Sequence, residues 1–164
     1  MHEKYVSKDD VVDEALCWGW IDSLPRKLDD ERTMLRLSPR KLTSAWSRVN
    51  KDKITRLETE GRIQPAGWAK IEAAKENGMW HFLDDVDALI KPVDLVDAIA
   101  RYPNAATNFD AFPKSSQRGI LEWIKQAKTP TTRQRRIDET AALANDNVMA
   151  NHPAATRDRG RPDK

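Results

Sequence analysis

Cysteine is nearly absent. The 164-residue chain carries one, Cys17, which excludes a disulfide framework and any zinc site built on cysteine ligands. No run of eighteen apolar residues occurs, so no transmembrane segment is written into the sequence. The opening residues, MHEKYVSKDD, lack the apolar stretch of a signal peptide, and the chain reads as soluble and cytoplasmic. An excess of one charge is missing too: 28 basic residues face 26 acidic ones, and a net charge of +2 selects no partner by its global field. There is no Gly-x-x-x-x-Gly-Lys loop, no Gly-x-Gly-x-x-Gly fingerprint and no Gly-x-Ser-x-Gly elbow. The three histidines, His2, His81 and His152, are too scattered for the converging ligands that a metal needs, and no cofactor is implied.

What is present argues for a core. Six tryptophans stand in the chain, and each can bury on the order of 200 Å². Charge is uneven along the sequence. Residues 1–25 carry −4, residues 26–56 +6, residues 57–112 −5 and residues 113–136 +6. The plain reading is that opposite blocks face each other or solvent; the sharper one is that both basic blocks line an anion-binding surface. Apolar spacing predicts helices almost throughout. Ser7 with Asp10 resembles an N-cap pair ahead of Val12, Ala15 and Leu16. Asn50 is placed to cap a helix with Ile54 and Leu57 inward, ended by Gly61. Pro65 opens a helix that stops at Asn77-Gly78. Pro92 opens another, with Leu95, Val96 and Ile99 spaced for burial. Further helices are predicted over 104–111, 116–127 and 130–145, the last capped by Thr129. The one strand signal is Arg32–Leu37, ending in Ser38-Pro39.

The fold class is therefore mainly α: a single compact helical domain over residues 1–146, with a short strand or hairpin near residues 32–37. Residues 147–164 hold one valine and one methionine as their only large apolar groups, and a disordered C-terminal tail is expected there.

Chemistry concentrates in ALCWGWID (15–22) and LDDERTMLRLSPRKLTSAWSRVN (28–50). Trp20, Asp22, Arg36, Arg40, Trp46, Ser47 and Asn50 bring aromatic faces, a carboxylate, guanidinium forks and small donors into under forty residues. Such a mixture suits a pocket for an anionic ligand, because arginine binds carboxylate or phosphate by two parallel bonds and indoles exclude water. The same residues can equally be scaffold, with the tryptophans in the core, Asp22 paired to Arg40, and Ser47 and Asn50 capping a helix. Cys17, among Leu16, Trp18 and Trp20, fits a small buried hydrophobe better than a nucleophile. Asp84, Asp85 and Asp87 lack the glycine and terminal glutamate of a calcium loop.

The phrases EALCWGWIDS, LDDER, R-x-SPRK and S-x-WSRVNK, followed by LETEGRIQPAGWAKIEAAKENGMW and EWIKQAKTPTTRQRRI, resemble the YdeI/OmpD-associated family, also labelled bacteriocin-protection proteins. The resemblance runs over residues 5–145. It implies a non-enzymatic binding or accessory protein of bacterial stress resistance, protecting against bacteriocins or cationic antimicrobial peptides. It brings no reaction, cofactor or catalytic residue. Members of that family carry a further N-terminal segment, and Trp18 and Leu37 stand where phenylalanine is usual in the core. Without that segment, the first helix and Arg32–Leu37 are expected to leave an apolar surface through which the chain self-associates. An anionic ligand or a protein is the partner expected of the Trp/Arg pocket. An enzyme using Asp22 with Arg36, Arg40 or Cys17 is the alternative. Nucleic-acid binding through the basic blocks is weaker, since no recognised binding motif accompanies the charge.

Overall fold

A computed structural model describes residues 6–151. Ser7 opens the first helix, α1 (Lys8–Cys17), by accepting the Asp10 N–H at 3.1 Å while its hydroxyl donates to the Asp10 carboxylate at 2.6 Å. Such a cap satisfies one of the free N–H groups that every helix start exposes. After Cys17 the chain turns through Gly19, at φ +72°, a left-handed conformation that favours glycine. It then enters a broken antiparallel hairpin. The outer pair is β1 (Trp20–Asp22) with β4 (Leu37–Pro39), in register Trp20↔Pro39 and Asp22↔Leu37. The inner pair is β2 (Arg26–Lys27) with β3 (Thr33–Met34), in register Arg26↔Met34. The expected strand over 32–37 is thus split, because Leu35 and Arg36 bridge the two pairs outside either ladder.

Two helices complete the first unit, α2 (Arg48–Thr59) and α3 (Pro65–Glu76). Ser47, and not Asn50, caps α2: its hydroxyl accepts the Asn50 N–H, which places Asn50 inside the first turn. Leu16, Ile54, Leu57 and Ile71 meet in the core, with Trp68 and Trp80 packed at its margin. Gly67 lets α3 touch the end of α1, since a Cβ there would stand 2.3 Å from the Cys17 carbonyl oxygen. Buried Asp13 ties α1 to α2 by accepting hydrogen bonds from Lys53 Nζ at 2.8 Å and from Arg56. Burial alone would raise its pKa; the two cations outweigh that and hold the carboxyl below its ordinary value.

The chain groups into two compact units, parted between Asp84 and Asp85. The single turn α4 (Asp84–Asp87) carries that boundary. The second unit contains α5 (Val93–Ile99), α6 (Ala105–Ala111), α7 (Lys114–Lys125) and α8 (Pro130–Asn145). Thr129 caps α8, accepting the Thr132 N–H at 3.1 Å. Its buried Ile137, Ala141 and Ala144 form the spine on which α5, α6 and α7 pack. Val96, expected inside, is exposed, while Ala98 takes the buried position beside Leu95 and Ile99. The described chain is mainly α, with eight helices and two short hairpin ladders. Of the expected tail, residues 147–151 belong to the second unit. Val148 N–H donates to the Leu143 carbonyl at 2.8 Å, and Ala150 is 3% exposed. The remainder of that tail lies outside the described residues.

Candidate functional site

Pro39 ends β4, and Arg40 follows with its N–H on the Gly19 carbonyl at 2.9 Å. This bond fixes the backbone so that the side chain runs inward, and Arg40 is 2% exposed. Its guanidinium carbon lies 3.8 Å from the Trp46 ring centroid, a stacked cation–π contact. Nη1 donates to the Ala45 carbonyl at 2.9 Å and, at 3.4 Å, to that of Ser44. Trp46 is buried as well; Trp80 tilts against it at 5.1 Å, and the Trp46 backbone N–H donates to the Met79 carbonyl at 3.2 Å.

Three donors in this pair have no acceptor among the described residues: Arg40 Nε, Arg40 Nη2 and Trp46 Nε1. Buried polar groups are nearly always hydrogen-bonded, and each orphan costs on the order of 1–3 kcal/mol. Nε and Nη2 form one edge of the guanidinium, the fork that grips a carboxylate by two parallel bonds. The second unit shows that edge filled: Arg133 Nε and Nη2 donate to the two oxygens of Asp94 at 2.7 and 2.9 Å. Burial pulls the Arg40 pKa down to about 10, with the charge of Asp22 opposing the fall, so the group stays cationic at neutral pH.

The seven candidate residues do not form one site. Arg40 and Trp46 touch. Ser47 and Asn50 close the first turn of α2 through the cap bond. Trp20 is exposed on a groove with Trp18 and Leu37, both of which were expected in the core. Trp18 lies one residue beyond α1, where the turn at Gly19 directs it outward, and its indole N–H donates to Glu14 at 2.7 Å. Asp22 makes a long 3.9 Å ion pair with Lys8 and acts on Arg40 only through space. Arg36 is exposed and contributes its carbonyl to the Ser23 N–H. The positive surface expected of residues 26–56 loses two members: Arg40 is buried, and Lys51 is occupied by Asp84 and the Trp80 carbonyl. Cys17 is buried, and burial pushes its thiol pKa up, against nucleophilic use.

Trp80 is the site neighbour that sequence reasoning misses, because it lies beyond the Asn77-Gly78 turn with no spacing that links it to Trp46. No group of three or more His, Cys, Asp or Glu able to hold a metal occurs among the described residues.

The chain matches known families in two separate stretches. Residues 88–147 match the family described as Bacteriocin-protection, YdeI or OmpD-Associated. Residues 1–70 match a different model, a domain of unknown function (DUF8412). The protection-family match thus falls on the second unit, from the end of α4 to just past α8. The resemblance read across residues 5–145 is carried there, through EWIKQAKTPTTRQRRI, while EALCWGWIDS and the Arg40–Trp46 pair fall within the other match. No curated protein and no solved structure matches the chain. No helix of the described residues is long and apolar enough to cross a membrane.

Proposed function

We propose that the protein is a non-enzymatic accessory protein of the protection type, and that the Arg40–Trp46 niche receives an anionic group. The match over residues 88–147 supports the protective role at the level of the family. The orphaned fork carries the binding assignment. Arg40 presents Nε and Nη2 without an acceptor, beside a third unpartnered donor on Trp46. A carboxylate or phosphate oxygen pair would satisfy that edge as Asp94 satisfies Arg133. Binding is favoured over catalysis because Asp22 does not contact Arg40 and the Cys17 thiol is both buried and pushed towards its protonated form.

Calorimetric titration of the full chain with inorganic phosphate and with acetate, paired with thermal melts, tests the assignment. Arg40→Lys keeps the charge and loses the planar fork, so affinity is expected to fall roughly ten- to a hundredfold, the equivalent of about 1.5–3 kcal/mol. Absence of binding by the wild type, together with a destabilised Arg40→Lys variant, would make Arg40 part of the scaffold.

A further inference from the structure

Two surfaces of the first unit have no partner within it among the described residues. The first is a groove of about 610 Å³ formed where α1 faces the β1–β4 ladder. Val6, Val11, Trp18, Trp20 and Leu37 supply its apolar wall, and the charged residues that line it, Asp10 and Glu14, are both acids. Trp18 is 50% exposed there, although a tryptophan is among the most costly side chains to leave in water.

The second surface is the arm formed by residues 23–36, which carries the β2–β3 ladder. Every residue of it except Asp29 and Leu35 is exposed. Leu24 is 85% exposed, and Leu28 and Met34 are open as well. A lone two-stranded hairpin is marginal in water, so an arm this bare needs a surface to lie on. Its cations divide into two kinds. Lys27 and Arg32 are paired inside the arm, with Asp30 and Asp29. Arg26 and Arg36 have no ion pair among the described residues.

The two surfaces complement each other in character. One is an apolar trough with two carboxylates, the other an apolar arm with two uncommitted guanidinium groups. The arm springs from the same ladder that forms one wall of the groove. We propose that two copies of this chain exchange arms about a twofold axis, each arm lying in the partner's groove with Arg26 and Arg36 facing Asp10 and Glu14. One arm in one groove is small beside the roughly 1,200–2,000 Å² of a standard interface, and reciprocity doubles the area. The exchange is independent of the Arg40 niche, which lies in the core behind the ladder.

The test is a charge swap on the full chain, read by sedimentation equilibrium over a micromolar-to-millimolar series. Wild type is expected to be dimeric and to weaken with added salt. The groove-reversed chain (Asp10→Arg with Glu14→Arg) and the arm-reversed chain (Arg26→Glu with Arg36→Glu) are each expected to lose at least tenfold in dimer affinity. Mixed in equal amounts they are expected to regain it, because both grooves then face arms of opposite charge. Leu28→Ser, an exposed change that leaves the melting curve in place, is expected to weaken the dimer without any charge effect. A monomeric wild type overturns the proposal, as does a dimer that neither reversal weakens or a mixture that recovers nothing. Wild type that is monomeric but gains mass on adding a cationic apolar peptide would assign the groove to that partner instead.

Discussion

Asp13 gives the sharpest quantitative test of how the first unit is held together. Its carboxylate is buried in α1 and accepts from Lys53 at 2.8 Å and from Arg56, both on α2. Replacing it with Asn keeps the shape, removes the charge and leaves Lys53, whose side chain is 19% exposed, without its closest carboxylate. Breaking a fully buried pair costs about 3–5 kcal/mol. Here Arg56 is half-exposed and Asp9 offers Lys53 a second contact at 3.2 Å, so a loss of about 2–3 kcal/mol is the reasoned figure. For a chain of this size that lowers Tm by roughly 5–10 °C. The pH dependence has a definite sign. The folded carboxyl lies below its ordinary pKa, so its stabilisation is complete above the unfolded value, near 3.8, and disappears as pH falls through the lower folded value. Thermal melts of wild type and Asp13→Asn should therefore differ by a constant amount near neutrality and converge in acid. Lys53→Met in the Asp13→Asn background should cost less than in wild type, since the partner is already gone. Curves that stay parallel down to strong acid, or single changes that simply add, would refute the ion-pair account of this contact.

Two further outcomes follow from local geometry. Ser47→Ala should cost about 1 kcal/mol in a denaturation midpoint, and Asn50→Ala only a few tenths, because the cap bond runs through the Ser47 hydroxyl to the Asn50 backbone. Equal losses would return the cap to Asn50. Cys17 should resist iodoacetamide in the native chain at mildly alkaline pH and react on unfolding, and fast native alkylation would contradict its burial.

Helix boundaries were legible in the sequence wherever the stop or start is local chemistry. Thr129-Pro130 begins α8, Pro65 begins α3, and Gly61 and Gly78 take the left-handed turns that follow α2 and α3, as their positions imply. Ser47 and Asn50 are both good caps three residues apart, and only packing of α2 decides between them. The nearness of Arg40 to Trp46 was legible because only five residues separate them. The burial of Arg40 was not, since a charged side chain ordinarily keeps its head in water. The approach of Trp80 to Trp46 joins a residue ahead of α2 to one beyond α3, a long-range event that no local spacing records. Trp18 was misplaced for the converse reason: the apolar stripe of α1 ends at Cys17, and one glycine turns the next residue to the outside. The boundary at Asp84 left no mark in composition, because α4 crosses it as a continuous turn.

Gly67 has a consequence for how this sequence can drift. The residue sits on α3, yet the space it leaves is occupied by the backbone of α1, at a distance where no real Cβ survives. A methyl group there would push the end of α1 away, and with it Trp18 and the ladder beginning at Trp20. The exposed face of one helix is thus inherited through an unseen hydrogen atom on another. Variation at position 67 would be read by natural selection as a change in the groove, even though the glycine never meets whatever lies in it.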